Sequence, residues 1–159
     1  MSRTLVIGAN RGIGLELCRQ LAAREPVIAA CRNSSAALDA IEGLEVHDGV
    51  DVTVRSSLDA LAGKLGSDSL DRLVLVAGIL EQSTLDAFDA DVVRRQLEVN
   101  AVGPLQSTVA LLGCLKQGSK VALVTSRMGS IADNTSGGSY GYRMSKAALN
   151  MAGRSLAHD

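Results

Sequence analysis

The stretch GANRGIG, at Gly8–Gly14, separates a short apolar run from a longer amphipathic one. The β-branched run Thr4–Gly8 predicts a buried strand, and Gly12–Arg24 predicts a helix with Ile13, Leu17 and Leu21 on its apolar face. Glycines between a strand and a helix allow a tight turn and close approach of the backbone to a phosphate. The stretch therefore indicates a nucleotide-binding turn, although an ordinary glycine-rich turn has the same appearance.

Outward from this turn, short apolar runs alternate with longer amphipathic stretches. Further strands are predicted at Pro26–Cys31, Leu44–Asp48, Arg72–Ala77 and Lys120–Thr125. Further helices are predicted at Ser34–Glu42, Val54–Leu65, Asp91–Gln117 and Tyr142–Ala157. In the second of these, Val54, Leu58, Leu61 and Leu65 form an apolar stripe, and in the third Gly103-Pro104 is expected to kink or break the helix. This alternation predicts an α/β fold, a Rossmann-type doubly wound parallel sheet of order 3-2-1-4-5 with helices on both faces.

Composition narrows the class of protein. The 159 residues suit one domain, and 47% apolar with 21% charged residues is typical of a globular chain. A net charge of -1 and 2% aromatic residues argue against general nucleic-acid binding. Three cysteines and two histidines favour neither a disulfide framework nor a metal site. The apolar run Leu73–Leu80 is far shorter than the ~20 residues of a membrane helix, so we expect a soluble, cytoplasmic protein.

Two arginines bear on the type of nucleotide. A dinucleotide-binding fold often places an acidic residue ~20 residues beyond the glycines, where it holds the ribose 2′-hydroxyl. Here that position is Arg32, and Arg11 lies in the glycine turn itself. Guanidinium groups near the 2′ position suit a 2′-phosphate, so the sequence predicts NADP(H) in preference to NAD(H). The alternative is that both are solvated surface arginines.

Polar residues that could carry chemistry follow later in the chain. Tyr142 and Lys146 are four residues apart on a predicted helix and therefore share a face. An ammonium close to a tyrosine stabilises the phenolate, so this pair could exchange a proton with a carbonyl or alcohol oxygen. Ser126 follows the fifth strand, where it could hold that oxygen or simply form a local turn. Asn100 lies within a helical pattern and either bends the helix or has a separate function.

Together these features resemble the short-chain dehydrogenase/reductase family. The resemblance rests on the glycine turn, Asp51-Val52, Ala77-Gly78, Asn100, Ser126 and Tyr142-Arg143-Met144-Ser145-Lys146, which occur in the family's order. The stretch Ser126–Asn150 is similar to the sniffer and C-factor branch of NADPH-linked carbonyl reductases. The resemblance implies hydride transfer between a nicotinamide and a carbonyl or secondary alcohol, and a homo-oligomer formed through the long helices.

The resemblance also implies roles for individual residues. Tyr142 would be the acid/base, Lys146 would support it and hold the nicotinamide ribose, Ser126 would polarise the carbonyl, and Asn100 would hold a relay water. Asp51 could equally cap a helix. The implied cofactor-binding residues are Gly8, Asn10, Arg11, Gly12, Ile13, Gly14, Arg32, Asp51, Val52, Ala77, Gly78, Tyr142 and Lys146. No metal site is implied.

Two departures from the family pattern keep other hypotheses open. Leu75-Val76-Ala77-Gly78 stands where the family usually has Asn-Asn-Ala-Gly, so polar bracing beside the cofactor is expected to be weaker. Lys146 lies close to Asp159, so we expect a single dinucleotide-binding domain at 1–159 without the usual C-terminal substrate-binding segment. The alternatives are a catalytically incomplete dinucleotide-binding or signalling module and a fragment that assembles with another chain.

Overall fold

A computed structural model describes residues 2–159. The strands are β1 (Thr4–Ile7), β2 (Val27–Ala30), β3 (Glu45–His47), β4 (Leu70–Leu75) and β5 (Leu115–Leu123). The α-helices are α1 (Gly12–Ala22), α2 (Ala36–Asp39), α3 (Arg55–Leu65), α4 (Ala90–Leu97), α5 (Gly103–Leu111) and α6 (Tyr140–Leu156). A π-helical segment at Glu98–Val102 joins α4 to α5, and short 3₁₀ turns occur at Leu112–Cys114 and Arg127–Gly129.

The sheet has the predicted architecture. Its five strands are parallel and follow the order β3-β2-β1-β4-β5. Ile7, at the end of β1, pairs with Ala30 of β2 on one side and Leu75 of β4 on the other. Every residue of β1 and β2 is buried, as expected for central strands of a parallel sheet that is covered on both faces.

The predicted apolar face of α1 is confirmed only in part, because Leu21 packs against the hydrophobic core whereas Ile13 faces solvent. Ile13 is 62% exposed, Leu17 and Leu21 are half-buried, and the residues that α1 buries are Gly14 and Cys18. The absence of a side chain at Gly14 lets the helix backbone lie against the turn after β1, and the face that includes Gly14 and Cys18 is the buried one. In α3 the predicted stripe is largely confirmed, because Leu58, Leu61 and Leu65 are buried. Its first member, Val54, is instead the exposed N-cap residue.

The long helix predicted over Asp91–Gln117 is interrupted and ends earlier. The interruption is the π-helical segment Glu98–Val102, just before the Gly103-Pro104 pair, and β5 already begins at Leu115 rather than Lys120. The pairing of β5 with β4 shifts register between Leu70 and Arg72, and Gly118 there has φ +80°. A bulge of this kind inserts extra residues into a strand, and local helical periodicity does not reveal it.

The backbone divides into two compact units. The first comprises the residues up to Ala77 together with Gln106–Val124 and contains the whole sheet. The second comprises Gly78–Leu105 and Thr125–Asp159 and contains α4, the π-helical segment and α6.

Cys18, Cys31 and Cys114 are free and buried. Burial raises the pKa of the Cys18 thiol to about 11, so this thiol stays protonated near neutral pH. Within residues 2–159, no cluster of three or more His, Cys, Asp and Glu side chains is placed to hold a metal ion. The helices of that same range include none long and apolar enough to cross a membrane.

Candidate active site

In the first unit, the glycine turn brings backbone segments unusually close together. Gly8 has φ +94°, and a Cβ at this position would lie 2.5 Å from the backbone nitrogen of Ala77. A Cβ on Gly14 would lie 2.1 Å from the carbonyl oxygen of Gly8. Neither position can carry a side chain without backbone movement, so Gly14 allows α1 to lie against the segment after β1, and Gly8 allows that segment to lie against the one after β4.

The start of α1 suits an anionic group. Gly12 has φ +56°, and within the described part of the chain its Cβ position meets no heavy atom within 4 Å other than those of the adjoining backbone, which leaves open space there. Arg11 is the N-cap, and its side chain makes no capping hydrogen bond within residues 2–159. The first turn contains no acidic side chain, so the helix dipole is uncompensated there. Backbone N–H groups, a positive helix end and open space together fit a dinucleotide phosphate.

The other residues expected to bind the cofactor in this unit follow the carboxyl ends of the strands. Arg32 follows β2 with its side chain 64% exposed, and its Nη1 lies 4.0 Å from Oδ2 of Asp51. The N-cap of α3 is Val54 and not Asp51. Oδ1 of Asp51 instead accepts hydrogen bonds from the backbone N–H and hydroxyl of Thr53 at 2.8 and 2.7 Å. Val52 is buried, and its carbonyl accepts a hydrogen bond from Gln106. Asn10 accepts a hydrogen bond from the Ser35 hydroxyl through its backbone carbonyl, at 2.8 Å.

The second unit holds all four residues expected to be catalytic. Tyr142 and Lys146 lie in consecutive turns of α6, and Nζ of Lys146 is 5.7 Å from the centre of the Tyr142 ring. Tyr142 is half-buried, whereas Lys146 is only 4% exposed. Burial lowers the pKa of Lys146, because removal from water disfavours the charged ammonium. The four-residue spacing therefore places Tyr142 and Lys146 side by side, as the sequence predicted.

Asn100 lies fully buried in the π-helical segment. Its Oδ1 accepts a hydrogen bond from the backbone N–H of Ile79, and its Nδ2 donates to the carbonyl oxygen of Ile79, both at 2.8 Å. Nδ2 also donates to Oγ of Ser145 at 2.9 Å, and that hydroxyl in turn donates to the carbonyl oxygen of Tyr142 at 2.8 Å. Asn100 therefore connects the segment after β4 to the turn of α6 that carries Tyr142.

Ser126 begins the short 3₁₀ turn Arg127–Gly129. Its Oγ accepts a hydrogen bond from the backbone N–H of Met128 at 3.2 Å. The expectation that this serine forms a local turn is therefore confirmed. The turn ends at Gly129, whose Cβ would lie 2.8 to 2.9 Å from the backbone and Cβ of Lys146. This contact sets the turn that carries Ser126 directly against the helix that carries Tyr142 and Lys146.

Two buried polar residues of the second unit, Gln96 and Ser145, were not assigned a role from the sequence. Gln96 is fully buried, and its Oε1 accepts a hydrogen bond from the backbone N–H of Glu81 at 3.0 Å. Ser145 links Asn100 to Tyr142, as described above. Gln96 precedes Asn100 by four residues, so two buried amides on one helix face hold the extended segment after β4. Their spacing is a signal that the sequence does contain.

The remaining expected positions differ in exposure. Gly78, at the start of the second unit, is exposed, and Ala77 is half-buried at the end of the first. The Arg11 side chain is exposed and forms no ion pair within the described part of the chain. The structure therefore groups Asn100, Ser126, Tyr142 and Lys146 in one unit, whereas the glycine turn, Arg32 and Asp51 lie in the other.

A family model described as short chain dehydrogenase matches residues 2–159. The chain belongs to this family. Among curated relatives it is 48% identical, over 162 residues, to the 1-hydroxy-2-glutathionyl-2-methyl-3-butene dehydrogenase of Rhodococcus sp. (strain AD45). That alignment covers 100% of this chain and 71% of the relative.

Solved structures of short-chain dehydrogenases and reductases superpose closely on the chain. The carbonyl reductase Sniffer of D. melanogaster is 28% identical, with a TM-score of 0.88, and is matched over 100% of this chain and 75% of its own. The NADPH-bound carbonyl reductase from chicken fatty liver is 29% identical, with a TM-score of 0.87 over 99% of this chain and 73% of its own. The chain thus spans about three quarters of each of these structures.

Proposed function

We propose that this chain carries the cofactor-binding and proton-transfer machinery of an NADP(H)-dependent oxidoreductase that interconverts a carbonyl compound and a secondary alcohol. The observation that carries the proposal is the Tyr142–Lys146 pair, in which a buried lysine lies 5.7 Å from the ring of a half-buried tyrosine. The Rhodococcus dehydrogenase and the two carbonyl reductases support the same class of reaction.

Tyr142 is the proposed acid in reduction and the proposed base in oxidation. Its hydroxyl donates a proton to the carbonyl oxygen of the substrate as the alcohol forms, and accepts that proton in reverse. The Lys146 ammonium stabilises the phenolate that is left behind, because a cation close to the ring favours the negative oxygen. NADP(H), when bound, supplies or accepts the hydride.

Ser126 and Asn100 have supporting roles in this proposal. The Ser126 oxygen already accepts a hydrogen bond from Met128, so its proton can be donated to the substrate oxygen beside Tyr142. Both Nδ2 protons of Asn100 are engaged, so a relay water would hydrogen-bond to the second lone pair of Oδ1. Asn100 also acts by positioning, because it holds the Tyr142 turn through Ser145.

Different residues are proposed to bind the phosphates, the adenosine half and the 2′-phosphate of the cofactor. The backbone of Gly8–Gly14 would hold the phosphates, and Asp51, Val52, Ala77 and Gly78 would line the adenosine half. Arg11 and Arg32 would bind the 2′-phosphate of NADP(H), in line with the NADPH-bound carbonyl reductase that the chain resembles. A homo-oligomeric state, a single domain and a cytoplasmic location stay predictions.

Titration of the purified chain with NADPH and NADH, followed by nicotinamide fluorescence, tests the cofactor. We expect saturable binding that favours NADPH, and an Arg32→Ala change that weakens NADPH binding by roughly 10- to 100-fold with little effect on NADH. Arg24→Ala, at an exposed arginine beyond the end of α1, is the matched control and should change neither. Equal binding of the two cofactors, or equal effects of the two variants, would contradict the assignment.

A further inference from the structure

One face of α6 carries a third polar residue in line with the proposed site. Tyr142, Lys146 and Asn150 follow one another at four-residue spacing and therefore project from the same side of the helix. Oδ1 of Asn150 accepts a hydrogen bond from the hydroxyl of Thr125 at 2.6 Å. Nδ2 of Asn150 donates to the carbonyl oxygen of Gly129 at 3.3 Å.

These two hydrogen bonds bracket the turn that carries Ser126. Thr125 immediately precedes Ser126, and Gly129 is the last residue of the turn. Inside the bracket, Ser126 accepts from Met128 through Oγ and from the backbone N–H of Gly129 through its carbonyl oxygen, at 3.2 and 2.9 Å. A single amide of α6 thus holds both ends of a four-residue turn whose interior is also hydrogen-bonded.

The contact of Gly129 with α6 leaves the turn little freedom to shift. A Cβ on Gly129 would lie 2.8 Å from the carbonyl carbon of Lys146, so the turn already touches the helix backbone there. Close contact alone fixes a distance but permits sliding along the helix. The Asn150 amide removes that freedom, because its donor and its acceptor point to opposite ends of the turn.

We propose that Asn150 is a positioning residue that holds the Ser126 hydroxyl in register with Tyr142 and Lys146; the inference rests on the proposed function for its catalytic consequence. An amide is required, since a carboxylate lacks the donor for Gly129 and an alkyl side chain lacks both groups. Thr125 and Asn150 are exposed, so substitutions at these positions leave the buried core intact.

The two hydrogen bonds that join Asn150 to Thr125 and Gly129 are called the clamp below. Hydrogen exchange of the Met128 and Gly129 amides, measured by NMR, tests this clamp without any substrate. We expect Asn150→Ala to speed the exchange of both amides roughly tenfold, because they are protected only while the turn is closed. Thr125→Val should have a similar effect, whereas Thr125→Ser keeps the hydroxyl and should keep the protection. Asn134→Ala, at an exposed loop asparagine of the same unit, is the control. Unchanged exchange in Asn150→Ala would overturn the proposal.

Turnover then tests whether the clamp acts through Ser126. With NADPH and a reducible carbonyl compound, Asn150→Ala is expected to lower kcat roughly tenfold, while the affinity for NADPH is retained. In a Ser126→Ala background the same change should have no further effect, because the hydroxyl that it positions is already absent. Full additivity of the two substitutions would overturn the proposal. Absence of turnover in the unmodified chain would instead count against the proposed function, and the exchange measurement would still decide the clamp.

Discussion

Lys146 is a cation that the fold buries beside a phenol. Its side chain is 4% exposed, Gly129 presses against its backbone, and the Tyr142 ring lies 5.7 Å from its ammonium. Burial lowers its pKa because the ammonium loses hydration. A buried ammonium lowers the stability of the folded chain. Ionisable groups with a shifted pKa are common at sites that bind ligands or carry out reactions.

The lowered pKa of Lys146 predicts a pH dependence of stability. A lysine whose folded pKa lies below its ordinary value of 10.5 binds more protons in the unfolded state, so stability should rise with pH between the two values. We expect the free energy of unfolding of the unmodified chain, relative to Lys146→Met, to increase as pH rises from the folded pKa towards 10.5. Urea unfolding of both proteins at a series of pH values measures this difference. A difference that falls with rising pH would show that burial does not destabilise the ammonium.

Residue-level prediction from the sequence succeeded where a local spacing fixes the geometry. Tyr142 and Lys146 share a face because a helix repeats every 3.6 residues, and the structure places them together. Gln96, Ser145 and Asn150 went unassigned because their partners lie far along the chain. The four-residue spacing of Gln96 and Asn100 is visible in the sequence, but the partners of these side chains are set by tertiary contacts.

At the scale of elements, glycines decide how closely neighbouring segments approach. Gly141 of α6 lies against α4, where a Cβ would be 2.5 Å from Nε2 of Gln96 and 3.0 Å from Cα of Val93. Gly63 of α3 is exposed, and among residues 2–159 its Cβ position has no heavy atom within 4 Å apart from those of its chain neighbours and its own helix backbone. Gly141 is therefore required for close packing of α6 against α4, whereas the position of Gly63 has room for a side chain.

This contrast predicts opposite effects of the same substitution. Gly63→Ala should stabilise the chain by about 0.5–1 kcal/mol, because alanine loses less conformational entropy in a helix. Gly141→Ala should destabilise it by about 1–3 kcal/mol, because the methyl group forces Gln96 and the backbone of α4 to move. Denaturant midpoints of the two variants measure both effects. A stabilising Gly141→Ala would mean that Gly141 has more room against α4 than the 2.5 Å distance to Nε2 of Gln96 indicates.

The positions of the strands and helices were predictable from the sequence. The buried faces of the helices and the points at which helices and strands are interrupted were predictable only in part. Alternating apolar and amphipathic runs located all five strands, although β5 begins five residues earlier than expected because of its bulge. The stripe of α3 was largely correct, whereas that of α1 was correct only in part, because Leu21 packs against the core but Ile13 is exposed. The helix break near Gly103-Pro104 takes the form of a π-helical segment that carries Asn100. Segments of this type often occur at functional sites.

At the scale of the whole molecule, the strand order followed from general rules of chain connection. Right-handed crossovers between parallel strands leave few arrangements for five strand–helix repeats, and the order 3-2-1-4-5 is the one observed. The division into two compact units was not predicted, because it depends on which segments return to the sheet. Gln106–Val124 rejoins the first unit after Gly78–Leu105 has entered the second.

A bound cofactor should stabilise the folded chain. If NADPH binds only the folded state, NADPH at a hundred times its Kd should add about 2.7 kcal/mol to the free energy of unfolding. Thermal unfolding with increasing NADPH, compared with equal concentrations of NADH, measures this effect and its selectivity. A midpoint that does not respond to NADPH would contradict cofactor binding by the folded chain.

The most direct test of proton transfer by Tyr142 compares the two tyrosines of α6. Tyr140 and Tyr142 are both half-buried and lie two residues apart, so replacement of either by phenylalanine removes one hydroxyl from the same turn. With NADPH and a reducible carbonyl compound, Tyr142→Phe should lower kcat by roughly 10²- to 10⁴-fold and retain NADPH binding, whereas Tyr140→Phe should keep its turnover. Turnover that survives in Tyr142→Phe would contradict the assignment of Tyr142 as the proton donor and acceptor.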